Sequence, residues 1–128
     1  MRLLLDTHAF LWWLAGSTSL SLPARRAIAD EENSVHVSAA SAWETTTKYR
    51  IGKLPEAAAV ALDFGGAIAD QGFEELAISV EHASLSGSLS GPHRDPFDRM
   101  LIAQSLSENL VLVSNEDDFD QYGVRRLW

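Results

Sequence analysis

Residues 2–16 read RLLLDTHAFLWWLAG: a short apolar run, an acid, and a second apolar stretch that closes on glycine. The first run has the length of a buried strand rather than of a helix, and Asp6 ends it. The residues after it predict a helix that continues through Ala15 and stops at Gly16. A strand that leads into a helix in this way is typical of the βα units of a parallel sheet.

The rest of the chain repeats this alternation of short apolar runs and helical stretches. Strands are predicted at Arg2–Leu5, Val35–Val37, Leu76–Ser79, Leu110–Val113 and Val124–Leu127. Further helices are predicted at Ala24–Glu32 after Pro23, at Ala42–Arg50 after an N-cap at Ser41, at Glu56–Gln71 with a weak point at Gly65–Gly66, at Glu81–Leu89, and from an Asp95 N-cap to Glu108. The pattern predicts a three-layer α/β/α domain around a central parallel sheet of about five short strands.

Composition limits the class of protein. The chain has 128 residues, of which 46% are hydrophobic and 22% charged, so we expect a single globular domain over residues 1–128. There is no cysteine, which excludes disulfides and thiolate zinc sites. The longest apolar stretch, Ala9–Ala15, is far below the roughly 18 residues that span a bilayer, and no secretory signal is recognisable. We therefore expect a soluble, cytoplasmic protein with no membrane partner.

The charge balance argues against one mode of nucleic-acid binding. Ten Lys and Arg residues stand against eighteen Asp and Glu residues, for a formal charge of −8. Proteins that bind nucleic acid mainly through phosphate contacts are usually basic. The excess of acid is instead compatible with a metal-assisted site, where clustered carboxylates are required.

Acidic residues follow several of the predicted strands. Asp6 comes directly after the first strand, Glu44 lies in the first turns of the helix after the second, and residues 114–117 (SNED) follow the fourth. Asp95 and Asp98 lie at the start of another helix. Because ligands of an open parallel sheet bind beyond the carboxyl ends of its strands, we expect these acids to converge at one edge.

Each acid also has a purely structural interpretation. Glu44 can pair with Lys48 one turn along its helix, which stabilises a helix by about 0.2–0.5 kcal/mol. Helix capping, the helix dipole and a solvated turn account in the same way for Asp6, Asp95, Asp98 and residues 116–120. The case for a site therefore depends on the acids as a set.

A converging set of carboxylates has a defined chemical consequence. Two like charges about 4 Å apart repel by about 4 kcal/mol at an effective dielectric constant near 20. Such a set must take up protons or hold a cation, and oxygen ligands suit Mg²⁺ or Mn²⁺. These ions generate hydroxide and stabilise charge in phosphodiester hydrolysis. The acids thus predict a divalent-metal site.

Half of the ten cations lie beside these acids in the sequence, and we take them as candidate RNA contacts: Lys48, Arg50, Lys53, Arg94 and Arg99. The alternative is ordinary solvated helix charge. The four histidines show no HExxH spacing and are predicted to be structural or exposed, although His93 lies close to the acidic turn.

Four segments of the chain together resemble the PIN-domain ribonucleases, and most closely the VapC-like toxins of type II toxin–antitoxin pairs. They are LLLDTHAFLWWL (3–14), SAASAWETTTKYRIGKL (38–54), HRDPFDRMLIAQSL (93–106) and LVLVSNEDDFDQYGVRRLW (110–128). They occur in the order of the family's motifs and cover nearly the whole chain, apart from the less diagnostic region from about Glu56 to Ser90.

The resemblance implies a PIN-like fold and an Mg²⁺-dependent endoribonuclease, with Mn²⁺ as an alternative ion. Asp6, Glu44 and Asp98 match the first three acids of the family, and Asp6 and Asp98 are the preferred metal ligands. Many members carry the fourth acid two residues after Thr or Ser, where this chain has Glu116, a longer side chain than usual. Asp117 is the alternative, and Asp95 is a cap or an outer residue.

The resemblance also implies partners for the protein. RNA is the implied substrate, a homodimer is the implied assembly, and a cognate antitoxin is the implied inhibitor. In the family the antitoxin wraps the toxin and occupies its acidic cleft, where an arginine is well suited to bind carboxylates.

Three alternatives remain at this stage. A catalytically degenerate PIN domain that only binds its partners is kept open by Glu116. A phosphatase of the haloacid dehalogenase type needs an Asp-x-Asp pair, whereas this chain has Asp6–Thr7–His8. A response-regulator receiver needs paired acids near the end of the first strand and a lysine after a late strand, and neither is present.

Overall fold

A five-stranded parallel sheet forms the centre of the molecule. The computed structural model describes residues 1–128, and the strands are β1 Arg2–Leu5, β2 Ser34–Ser38, β3 Glu74–Leu76, β4 Val111–Val113 and β5 Arg125–Leu127. Their order across the sheet is β3-β2-β1-β4-β5, and every neighbouring pair is parallel. The strand order therefore changes direction between β1 and β4, which is where α/β proteins place their ligands.

Seven α-helices connect and cover the strands: α1 Thr7–Ala15, α2 Leu22–Ala29, α3 Ala39–Arg50, α4 Ala58–Leu62, α5 Phe64–Asp70, α6 Val80–Ser88 and α7 Pro96–Glu108. Short 3₁₀ segments occur at Pro55–Ala57 and Asp117–Tyr122. None of these helices combines the length and the apolar character that are needed to cross a membrane.

The two faces of the sheet carry separate apolar clusters. Leu3 and Leu5 of β1 pack with α1, α2 and α5 on one face, and Leu4 packs with α3 and α7 on the other. All three leucines are fully buried, as expected for a strand in the centre of a parallel sheet that is covered on both faces. The predicted three-layer α/β/α arrangement is thereby confirmed.

Helix α3 starts earlier than the sequence predicts. The N-cap is Ser38, whose side chain accepts from the backbone N–H of Ala40, and Ser41 lies inside the helix. Ser41 is instead buried and accepts a hydrogen bond from the Thr7 hydroxyl, at 3.0 Å between the two oxygens. The predicted cap was wrong because both serines satisfy the capping preference, and the end of β2 selects the first.

The predicted helix over Glu56–Gln71 is also wrong in its continuity. The chain breaks at Asp63, whose side chain caps α5 through the backbone N–H of Gly66, at 2.9 Å. A capping acid ahead of two glycines starts a new helix in place of the predicted weak point.

Two other elements differ from the prediction by more than one residue at a boundary. α2 ends at Ala29 rather than Glu32, with Asp30 as its C-cap. β3 occupies Glu74–Leu76 rather than Leu76–Ser79, because it is an edge strand whose acids face solvent and hide the apolar pattern.

Candidate functional site

Asp6 lies at the carboxyl end of β1, next to the point where the strand order reverses. Its backbone N–H donates to the carbonyl of Val113 in β4, at 3.0 Å, which continues the sheet pairing by one residue. Its side-chain Oδ1 accepts from the backbone N–H of Ala9 at 2.7 Å and so caps α1. The side chain is only 5% exposed, although it carries a carboxylate.

Burial makes this carboxylate an unusual one. It raises the pKa of Asp6 from its ordinary value of 3.8 to about 6, against the opposing effects of the Ser114 hydroxyl and the Ala9 N–H. The charges of His8 and Asp98 also act on it, in opposite directions. Asp6 therefore lies within electrostatic reach of Asp98 at the start of α7.

Glu44 is held at the same edge by helix α3. The buried hydrogen bond between Thr7 and Ser41 joins the first turns of α1 and α3. Glu44 is 3% exposed; its Oε2 contacts the Lys48 ammonium, and its Oε1 is buried without any hydrogen-bond partner. The predicted i,i+4 ion pair therefore forms, but it satisfies only half of the carboxylate.

Asp98 lies in the first turn of α7, which Asp95 caps. Oδ1 of Asp95 accepts from the backbone N–H groups of Phe97 and Asp98, at 2.8 and 3.1 Å. Asp98 Oδ2 is 2.8 Å from Nε2 of His93. Burial raises the pKa of Asp98, the hydrogen bond from His93 opposes this, and the charges of Asp95 and Glu44 add to it.

Lys48 supplies positive charge to these acids. Burial lowers the pKa of its amine, but the hydrogen bond and charge of Glu44, together with the charges of Asp95 and Asp98, outweigh burial and raise the pKa. Charge effects therefore link Asp98 to Asp6, Glu44 and Asp95, and they link Lys48 to Glu44, Asp95 and Asp98.

The two candidates for the fourth acid, Glu116 and Asp117, are more exposed than the other three acids. Glu116 and Asp117 are exposed, and the backbone N–H of Glu116 donates to the Ser114 hydroxyl at 3.0 Å. The charge of Asp117 acts on Arg126, whose guanidinium binds both carboxylate oxygens of Asp120 at 2.8 and 3.0 Å. This turn is thus attached to the carboxyl end of β4 but faces solvent.

The side chains of the three acids suit a divalent cation in their chemistry, but they are not close enough together to coordinate one. Side chains of Asp6, Glu44 and Asp98 offer only carboxylate oxygens, which suit Mg²⁺ and Mn²⁺, and Glu44 Oε1 is a buried acceptor without a donor. No three His, Asp or Glu side chains stand close enough together to hold an ion, and none of the cavities is lined by these three acids. Binding an ion would require the side chains to draw together.

The five candidate cations fall into three groups. Arg50, Lys53 and Arg94 are exposed, and Lys48 is engaged with Glu44. Arg99 is half-buried, and its guanidinium donates to the backbone carbonyls of Ser86, Leu89 and His93. The structure gives Arg99 a role in holding the chain that its sequence position did not indicate.

One side chain at this edge, Arg126, was missed by reasoning from sequence, and a second, His93, was noted only for its position near the acidic turn. Arg126 fixes the acidic 3₁₀ segment by binding Asp120 and by donating to the Ser114 carbonyl at 3.1 Å. His93 contacts Asp98 directly, and its position five residues ahead of that acid was the only available signal.

Comparison with known proteins identifies the family. A family model of the PIN domain matches residues 3–124, nearly the whole chain. The chain is a PIN-domain protein. This PIN domain has no match among curated proteins compared by sequence.

Several solved structures have a similar fold, including the following three. VapBC2 from Rickettsia felis, bound to a DNA fragment from its promoter, matches with a TM-score of 0.72 and 16% identity over 99% of this chain and 98% of that one. VapBC-5 of Mycobacterium tuberculosis, a member of the VapBC family of toxin–antitoxin systems, matches with a TM-score of 0.63 and 17% identity over 98% of this chain and 95% of that one. VapBC-1 of nontypeable Haemophilus influenzae matches with a TM-score of 0.59 and 14% identity over 99% of this chain and 97% of that one. These matches confirm the PIN fold.

Proposed function

We propose that this PIN domain is a divalent-metal-dependent endoribonuclease and the toxin of a type II toxin–antitoxin pair. The observation that carries the proposal is the buried carboxylate of Glu44, with one unpartnered oxygen, within electrostatic reach of Asp98, which in turn acts on Asp6. A solvated helical ion pair would not leave a buried oxygen without a donor. The fold shared with chains of VapBC complexes supports the same assignment.

The acids take different roles in this proposal. Asp6 and Asp98 would hold Mg²⁺ or Mn²⁺, which activates water and stabilises charge on the phosphate when it is bound. Glu44 would orient the attacking water by accepting a hydrogen bond at Oε1, which has no other partner, once the site rearranges around the ion. Glu116, or Asp117 in its place, would complete the acidic set from the solvent side, and Asp95 supports Asp98 as the helix cap.

Cations beside the acids would bind the RNA backbone. Arg50, Lys53 and Arg94 are exposed and free to contact phosphates, and Lys48 lies closest to the acids. Arg99 contributes through the chain segment that it holds. Because the overall charge is −8, RNA binding would depend on these local cations and on the metal rather than on a general attraction.

The metal requirement is the first test. We expect the purified protein to cleave a labelled single-stranded RNA pool in Mg²⁺ or Mn²⁺, to stop in excess EDTA, and to resume when Mg²⁺ is restored. The expected products carry 5′-phosphate and 3′-hydroxyl ends, as the PIN family implies, because water would attack phosphorus and the P–O3′ bond would break with the 3′ oxygen leaving. Full cleavage in EDTA would contradict the proposal, and no cleavage with any divalent ion would favour a degenerate PIN domain that only binds its partners.

An antitoxin and a second copy of the chain are the proposed protein partners. The half-buried Leu11, Trp12 and Leu14 of α1, with Leu54 and Val60, line an apolar cavity of about 370 Å³ that could accept an apolar helix. The neighbours of known structure are VapBC complexes, which supports an antitoxin at such a surface. An antitoxin arginine would bind the acids well.

The toxin role predicts a growth phenotype. Induced expression of the protein alone in a bacterial host should arrest growth, and expression of Asp98→Asn at the same level should not, because only the first would cleave RNA. Growth curves with protein levels measured by immunoblot provide the test. Normal growth with abundant protein that is active in vitro would contradict the toxin role while leaving the nuclease proposal intact.

A further inference from the structure

The His93 ring is in direct contact with Asp98, one of the proposed metal ligands. Its Nε2 is 2.8 Å from Asp98 Oδ2, and its ring stands edge-on to Phe119 with centroids 5.4 Å apart at 85°. The ring is half-buried and engages one carboxylate oxygen. It therefore has one direct contact in the site and one packing contact that fixes the ring plane.

The segment that carries His93 is held from two sides. The Arg99 guanidinium donates to the His93 carbonyl at 2.9 Å, to Leu89 and to Ser86 at 3.3 Å. The backbone N–H of His93 donates to the Tyr122 hydroxyl at 3.0 Å.

Gly91 allows the close approach of this segment to the Tyr122 ring. It has φ +116°, and a Cβ at this position would lie 2.6 Å from the Tyr122 hydroxyl. The backbone at this point therefore needs glycine both for its conformation and for space. Arg99 of α7 and Tyr122 thus hold the backbone of His93, and Phe119 packs against its ring.

We propose that His93 is a positioning residue for Asp98: its Nε2–H donates to Oδ2, which fixes the carboxylate and would leave Oδ1 to bind the cation. The inference rests on the proposed function, because it assumes that Asp98 is a metal ligand. A carboxylate that rotates freely loses part of its affinity for a metal, and removing such an outer partner typically costs about 10- to 100-fold in metal affinity.

Glutamine and asparagine give a matched pair of variants for the test. Glutamine places an amide N–H close to where Nε2 stands, whereas asparagine reaches only as far as Nδ1. We expect His93→Ala and His93→Asn to weaken Mn²⁺ binding about 10- to 100-fold and His93→Gln to stay within about threefold of the unaltered protein. Mn²⁺ is titrated into the RNA-free protein, and free ion is measured by electron paramagnetic resonance.

A second measurement needs no metal. In a ¹H–¹⁵N spectrum of the histidine rings, the Nε2–H of His93 should be visible and slow to exchange, and it should disappear in Asp98→Ala. Thermal unfolding followed by circular dichroism checks that all variants are folded.

The outcomes separate the two proposals. Equal losses in the glutamine and asparagine variants, or affinity in His93→Ala within twofold of the unaltered protein, would overturn the positioning role alone. Failure of the unaltered protein to bind Mn²⁺, with the Nε2–H signal intact, would overturn the proposed function and the positioning role with it.

Discussion

Asp6→Asn and Asp98→Asn are each expected to slow RNA cleavage by about 10²–10³-fold, because a bound metal contributes several kcal/mol to the transition state and each 1.4 kcal/mol is tenfold in rate. Both substitutions keep the size and a hydrogen-bonding oxygen of the side chain but remove its charge. The helix caps and the core are therefore preserved, and the loss of activity reports the metal site. Initial rates on one labelled RNA at saturating Mg²⁺ provide the measurement.

Glu31→Gln is the matched control, since it removes one negative charge from an exposed residue ahead of β2, at the opposite edge of the sheet. It should cleave at the unaltered rate. Cleavage by Asp6→Asn or Asp98→Asn within threefold of the control would show that these carboxylates are not the metal ligands. Glu116→Gln and Asp117→Asn in the same assay decide which of the two supplies the fourth acid.

The second large effect is on stability and has a defined pH dependence. The pKa of Asp6 is about 6 in the folded chain against 3.8 ordinarily, so the folded state favours the protonated carboxyl. Its contribution to stability is fully present below about pH 4 and is lost as the pH rises through about 6, a difference of about 3 kcal/mol. Asp6→Asn is uncharged at every pH and avoids this loss.

The variant should therefore gain stability relative to the unaltered metal-free protein as the pH rises. At pH 7.5 we expect a free energy of unfolding higher by up to about 3 kcal/mol, and at pH 4 a difference near zero. Urea unfolding in EDTA, followed by circular dichroism at pH 4, 5, 6 and 7.5, measures the difference at each pH. A difference that is independent of pH would show that ionisation of Asp6 carries no cost.

Magnesium should reverse this order of stability. An ion that binds the folded state stabilises it by mass action, and it would bind only where the Asp6 charge remains. Adding Mg²⁺ at pH 7.5 should thus raise the unfolding midpoint of the unaltered protein and leave that of Asp6→Asn unchanged. The charge of Asp6 would then lower the stability of the metal-free protein and raise that of the metal-bound protein. Such a trade of stability for activity is common at functional sites.

Local sequence signals located four of the five strands to within one residue and the bounds of α1 and α7. Asp6, Gly16 and Asp95 act as the predicted caps because their conformational preferences operate over three or four residues. Capping preference did not identify the start of α3, because Ser38 and Ser41 both satisfy it. The apolar pattern did not locate β3, because this edge strand carries two acids.

The acids were recognisable as a set because parallel strands bring their carboxyl ends to one edge, and that rule needs only the order of the elements. The burial of Glu44, the unpartnered Oε1 and the raised pKa of Asp6 depend on helices far apart in the chain packing together, so tertiary structure alone decided them. The same holds for His93 and Arg99, whose contacts join α6, α7 and the loop between them. Residue type and spacing specify which groups can meet, whereas desolvation and hydrogen-bond geometry are properties of the packed chain.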